Sequence, residues 1–147
     1  MKSVVICGSK RFKSGIRKFA QELRRAGVVV YEPFLHQGAD EWQKLSDQYK
    51  RFTALGLTLD HFYKIQVADV VFVYNQDGYI GNSVTLEMGC AVAMGKPIYA
   101  LSDKDEELCR KVLVVDFVPT AKKLLRFLKQ HGQNVRSRQC RRTGVER

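Results

Sequence analysis

The chain has 147 residues, of which 45% are hydrophobic and 27% charged, with only three prolines; that is the length and composition of one globular domain with its own core. Its formal charge of +10 calls for something anionic, whether nucleic acid, a phosphorylated small molecule or a membrane surface, and does not choose among them. No apolar run approaches membrane-spanning length and SVVIC is too short for a signal peptide, so the expectation is a soluble cytoplasmic protein with no membrane partner.

In chain order, Ser3 to Cys7 is a β-branched run closed by Gly8-Ser9, a buried first strand. From about Ser14, Ile16, Phe19, Ala20, Leu23 and Ala26 recur at helical spacing, and Gly27 stands where a C-terminal cap belongs. Val28 to Tyr31 reads as a second strand. Trp42, Leu45, Tyr49 and Phe52 keep helical spacing from about Asp40, and Leu59 to Val67 reads as a separate, shorter helix capped by Thr58.

Val70 to Tyr74 predicts a third strand, followed by the loop NQDGYIGNS and a helix of small and apolar residues, SVTLEMGCAVAMG. Pro97 to Leu101 and Val112 to Val118 predict strands four and five, and Thr120 to Gln130 an amphipathic helix with Leu124, Leu125 and Leu128 inward. Residues 131–147 lack apolar periodicity and carry five arginines against Glu146, a basic tail on an α/β domain spanning 1–130.

Apolar strands alternating with helices predict a three-layer flavodoxin/Rossmann-like α/β domain: a five-stranded parallel sheet of order 2-1-3-4-5 with helices on both faces. Such sheets take ligands beyond the carboxyl ends of their strands at the switch point, here between strands one and three. Two loops meet there. One carries Gly8, Ser9, Lys10 and Arg11 before a helix start, a natural anion site or an ordinary turn with solvated charges. The other runs from Asn75 through Gly78, Tyr79, Gly81, Asn82 and Ser83, with glycines that admit a close ligand, an aromatic face, and Asn82 or Ser83 to cap the next helix.

That helix, apolar nearly all round, is expected to be buried on most faces and carries one charge, Glu87. Its placement about one turn in reads either as a carboxylate set near the start for the macrodipole or as a nucleophile kept ionised in a partly apolar cleft. Cys7, Cys90, Cys109 and Cys140 show no CxxC spacing and no Cys/His cluster, so reduced thiols are expected and no metal site, cofactor or disulfide framework is indicated.

CGSKRF after strand one, KIQVADVVFVYN, and above all GYIGNSVTLEMGCAVAMGKPIYAL resemble the nucleoside 2-deoxyribosyltransferase-like proteins, which include N-glycosidases of 2'-deoxynucleoside 5'-monophosphates. The resemblance covers about residues 3 to 101. It implies a homo-oligomer acting on a nucleoside or nucleotide, with Glu87 attacking C1' of the sugar and a glycosyl-enzyme ester as intermediate, the logic of retaining glycosidases. It further implies Ser83 and Asn82 at the 5'-phosphate, and Gly8, Ser9 and Arg11 along the pocket. The family's second acid, eight residues before the aspartate of ADVV, is replaced by His61, which can orient the sugar or shuttle a proton, or else simply face solvent. Asp60 beside it points about 100° away on a helix. An acidic position of some members is Gly81. Two other classes stay open: a nucleotide-sensing module of the same fold, and, less favoured, a nucleic-acid binder using the basic first helix and tail.

Overall fold

The computed structural model describes residues 2–35 and 39–130; the basic tail 131–147 lies outside them. Five strands, β1 (Ser3–Gly8), β2 (Val29–Tyr31), β3 (Val70–Tyr74), β4 (Ile98–Ala100) and β5 (Val114–Phe117), form one all-parallel sheet of order β2-β1-β3-β4-β5. Helices α1 (Lys13–Arg25), α2 (Ala39–Lys44), α3 (Asp47–Val67), α4 (Asn82–Ala93), α5 (Leu108–Lys111) and α6 (121–130) connect the strands or follow them. Among the described residues no helix is long and apolar enough to cross a membrane.

Strand alternation divides the core in two. Val4, Ile6, Val70 and Phe72 pack with Ile16, Phe19, Ala20 and Leu23 of α1 and with Ala121, Leu124 and Leu128 of α6. Phe19 stacks on Phe72 with ring centroids 4.3 Å apart. On the opposite face Val5, Cys7, Val71 and Val73 meet Ile65 of α3 and Val84, Met88 and Ala91 of α4. Both faces of β1 and β3 are therefore dry, which is why those strands read as unbroken apolar runs.

The edge of the sheet away from the switch point is clamped by polar contacts. Asp69 Oδ2 accepts from the backbone N–H of Ser3 at 2.8 Å and from its hydroxyl at 3.0 Å. Lys96 Nζ donates to the Ala68 carbonyl at 2.8 Å. The aspartate of ADVV and the lysine of GKP thus hold neighbouring strands together rather than meet a ligand.

Three sequence expectations are corrected. Residues 47–67 form one continuous helix, capped by Ser46, whose hydroxyl accepts from the Tyr49 N–H at 3.3 Å, while Thr58 lies inside. A glycine such as Gly56 costs an exposed helix about 1 kcal/mol without ending it. The spaced aromatics Tyr49 and Phe52 face outward, as does Ala26 at the end of α1. Helix α4 is not enclosed either: Val84, Met88 and Ala91 are buried, but Leu86 and Val92 are exposed.

Candidate active site

Gly8 ends β1 at the switch point, where space is tight. A Cβ there would lie 2.8 Å from Ile16 Cδ1 and 3.3 Å from the Tyr74 carbonyl, inside the range where a neighbour must move. The chain then turns through Ser9, whose hydroxyl accepts from the Arg11 N–H at 3.4 Å, into a short 3-10 turn, Lys10–Phe12. Opposite it, the loop after β3 leads to α4, whose N-cap is Gly81 and makes no side-chain cap. Asn82 and Ser83 are helical residues of the first turn, not caps as expected, so the first-turn N–H groups have no side-chain acceptor at the cap position.

Between these loops and α3 lies a cavity of about 450 Å³, within the size range of small-molecule sites. Gly8, Ser9, Lys10, Tyr79, Gly81, Asn82, Ser83, His61 and Glu87 line it, together with Pro33, Phe34, Leu57, Thr58 and Val84, which the sequence did not place at the site. Arg11 stands at the rim with its guanidinium carbon 3.5 Å from the Tyr79 ring centroid, and Phe12 meets the same ring edge-on at 6.0 Å.

Two of the anticipated positions serve the scaffold. Asn75 is buried; its amide donates to the Ser102 carbonyl and its carbonyl accepts from the Ser102 N–H, both at 2.9 Å. Gly78, at φ 85°, presses against the backbone of Lys104 and Asp105. Both tie the loop after β3 to the loop after β4, which Asp105 braces by a two-pronged contact with Arg110 at 2.6 and 2.8 Å.

Glu87 and His61 meet on the inner side of the cavity. His61 is buried, not a surface histidine; its Nε2 lies 3.6 Å from Glu87 Oε2 and 3.5 Å from Cys7 Sγ. Asp60 faces the other way and pairs with Lys64 at 2.6 Å. Burial raises Glu87 from 4.5 to about 7, against a smaller lowering by the Cys7 thiol, which lies near the carboxyl without reaching Oε2 at hydrogen-bonding geometry. Burial also lowers His61 from 6.5 to about 4, with nearby Lys64 adding to the effect and Asp60 opposing it. Cys7 is pushed up by its own burial and by Glu87. Glu87 Oε2 is itself buried without a hydrogen-bond partner. Such an orphaned acceptor is costly to fold and is a common mark of a working group.

Between about pH 4 and pH 7 this pair holds a single proton, on the carboxyl. Above about pH 7 the carboxyl loses that proton to solvent and leaves a carboxylate beside a neutral imidazole. Cys7 is the member the sequence concealed. No spacing links residues 7, 61 and 87; only the inward register of β1 toward α3 and α4 joins them, and their ligand atoms all lie within 4.8 Å of one another. A Cys/His cluster, not expected from the spacing, therefore exists in space. Cys7, Cys90 and Cys109 are free thiols.

No family model and no curated protein matches the chain. Solved structures do. A 2-deoxyribosyltransferase from Bacillus psychrosaccharolyticus aligns with a TM-score of 0.60 and 16% identity over 83% of this chain and 89% of its own. The CMP N-glycosidase BcmB of Clostridium botulinum aligns at 0.53 and 16%, over 88% of this chain and 99% of that one. A conserved protein of Enterococcus faecalis V583 aligns at 0.54 and 16%, over 89% and 99%. At this identity the likeness is one of fold.

Proposed function

We propose that this chain is a nucleoside 2-deoxyribosyltransferase-like enzyme that cleaves or transfers the N-glycosidic bond of a (deoxy)nucleoside or its 5'-monophosphate through Glu87. The observation that carries the reading is the orphaned Glu87 Oε2 on the wall of a cavity with His61 3.6 Å away. Two proteins of the same fold are named for reactions at this class of bond, which supports it.

In this reading Glu87 reacts as the carboxylate that forms as pH rises through about 7, with a neutral His61 beside it. The carboxylate attacks C1', the C1'–N bond breaks with its electron pair leaving on the base, which takes a proton from solvent, and a glycosyl ester forms. Neutral His61 then draws a proton from water as that water attacks C1', and Glu87 is released. A second base in place of water gives transfer. The open first turn of α4 at Asn82 and Ser83, with Lys10 and Arg11 opposite, suits a 5'-phosphate.

The test is free-base release from a panel of nucleosides and 5'-monophosphates. Glu87→Ala is expected to lower turnover by at least ~10³-fold, as removal of a nucleophile does. Absence of base release from every substrate, with a nucleotide still bound by calorimetry, would overturn the reading in favour of a binding module.

The same reading includes a homo-oligomer, and α3 indicates the face. Tyr49, Phe52, Leu55, Leu59 and Tyr63 are 56–74% exposed and share an arc of about 120° of the helix with Gln48, Gly56, Gln66 and Val67 and no charge. With Leu86 of α4, also exposed, they offer roughly 700 Å² of apolar side chain, close to one partner's share of a stable interface. Tyr49 and Tyr63 stand at equal distances on either side of Gly56, so an antiparallel second copy sets Tyr49 against Tyr63 across a two-fold axis.

A further inference from the structure

We propose that Cys7, His61 and Glu87 form a thiolate–imidazole–carboxylate site for one soft divalent cation of the zinc type, and that its occupation withdraws Glu87 from reaction. The binding half stands on geometry; the inhibitory half rests on Glu87 being the nucleophile.

The first argument is spacing. A tetrahedral zinc ion with bonds of about 2.3 Å to sulfur and about 2.0–2.2 Å to nitrogen and oxygen sets its ligand atoms roughly 3.3–3.6 Å apart. Cys7 Sγ and His61 Nε2 are 3.5 Å apart, and His61 Nε2 and Glu87 Oε2 are 3.6 Å apart. Two edges of the tetrahedron are thus already built, on three different elements, and the third pair, Cys7 with Glu87, lies within 4.8 Å, a gap that a small turn of either side chain closes.

The second argument is the orphaned oxygen. Glu87 Oε2 is aimed into the cluster, buried, and accepts no hydrogen bond. A cation between it, the thiol and the imidazole supplies the missing partner. Three donors leave a fourth position, and since His61 and Glu87 both line the cavity, that position opens on the space a substrate would use. This is the open coordination of a site that exchanges ligand, not the closed four-residue set of a structural zinc.

The chemistry is balanced by proton release. The Cys7 thiol and the Glu87 carboxyl each give a proton to solvent as the ion binds, while His61 enters in its neutral form. Soft thiolate and imidazole ligands select zinc-like ions over magnesium or calcium. The other cysteines can also take metal, so the test must distinguish them.

Metal-free protein is titrated with Co²⁺, which reports a thiolate ligand as a near-ultraviolet charge-transfer band and tetrahedral geometry as intense visible bands. One ion per chain is expected, with the bands retained in Cys90→Ser/Cys109→Ser/Cys140→Ser, lost in Cys7→Ser, and bound at least about tenfold more weakly in Glu87→Gln, the range by which metal sites respond to lost support. Circular dichroism confirms that each variant is folded. Bands absent from the wild type, or unchanged in Cys7→Ser, overturn the site. If Cys7→Ser does not fold, His61→Ala must lose the tetrahedral bands in its place, and their persistence overturns the site equally. Added Zn²⁺ is then expected to suppress base release and a chelator to restore it; full turnover with the site loaded refutes the inhibition. Cobalt bands in a protein that never releases base would leave the metal site standing and remove the proposed reaction instead.

Discussion

His61 Nε2 stands 3.6 Å from Glu87 Oε2, and burial displaces the two groups in opposite directions, Glu87 up to about 7 and His61 down to about 4. Around them stand the Cys7 thiol, Cys90 on α4, and Lys64 and Asp60 on α3. The reaction needs the carboxylate, so turnover at saturating substrate is expected to rise with pH through about 7. An acid limb near 4.5 instead would mean that Glu87 is not the titrating nucleophile.

The same pair shapes stability. Glu87 binds its proton more tightly folded than unfolded, so it favours the native state below about 4.5 and loses that advantage as pH rises through about 7. His61 does the reverse, opposing folding in acid and ceasing to do so as pH climbs from about 4 to 6.5. The two slopes offset each other between about 4.5 and 6.5. Glu87→Gln removes the falling limb: urea denaturation is expected to show a variant more stable than wild type at pH 8, on the order of 1–3 kcal/mol. No gain at pH 8 would show that the carboxylate is better solvated than its surroundings suggest.

Arg11 lies over the Tyr79 ring at the cavity rim, 3.5 Å from the centroid, and is thereby set in place before substrate arrives. Arg11→Ala is expected to raise KM for a 5'-monophosphate about tenfold while leaving that for the matching nucleoside within about twofold, because only the phosphate uses a cation worth ~1–2 kcal/mol. Equal losses for both substrates would assign Arg11 to the sugar or base, or to the loop itself.

Gly78 makes a stability prediction. At φ 85° a side chain is strained, and a Cβ would run into the Lys104 backbone and stand 2.8 Å from Asp105 N. Gly78→Ala is expected to cost about 2–4 kcal/mol in chemical denaturation. A loss below about 1 kcal/mol would mean that the loop after β4 yields, and that Gly78 does not brace the site.

The apolar stripe of α3 predicts assembly. Leu59→Asp puts a charge at its centre, 56% exposed in the single chain, where it costs little within one subunit and much in a contact. Wild type is expected to elute with the mass of a dimer in light scattering and the variant as a monomer with unchanged circular dichroism. A wild-type monomer at micromolar concentration would leave the stripe without its second copy.

Much of the architecture was legible because strand and helix patterns are local. The unbroken runs VVIC and VVFVY announced strands covered on both faces, and Ile16, Phe19, Ala20 and Leu23 announced the inner face of α1. From order alone the switch point followed, and with it the two loops and Glu87. The same locality misled where a pattern was real but nothing among the described residues covers it: Tyr49 and Phe52 keep helical spacing, yet they face out. Spacing reports that a helix has an apolar side, not what covers it.

The sequence by itself therefore determined the parallel sheet, its order, and the edge at which a ligand would sit, since these follow from periodicity, loop chemistry and the handedness of crossovers. Only the tertiary structure decided that Cys7 and His61, 54 residues apart, meet Glu87 in one dry cluster, and that Asn75 and Gly78 brace the loop instead of lining the cavity. Such meetings depend on which face of a strand turns toward which helix and on how far each helix slides along the sheet. Those are set by the packing of the whole core, and burial within it, rather than residue type, is what moves the Glu87 and His61 protons.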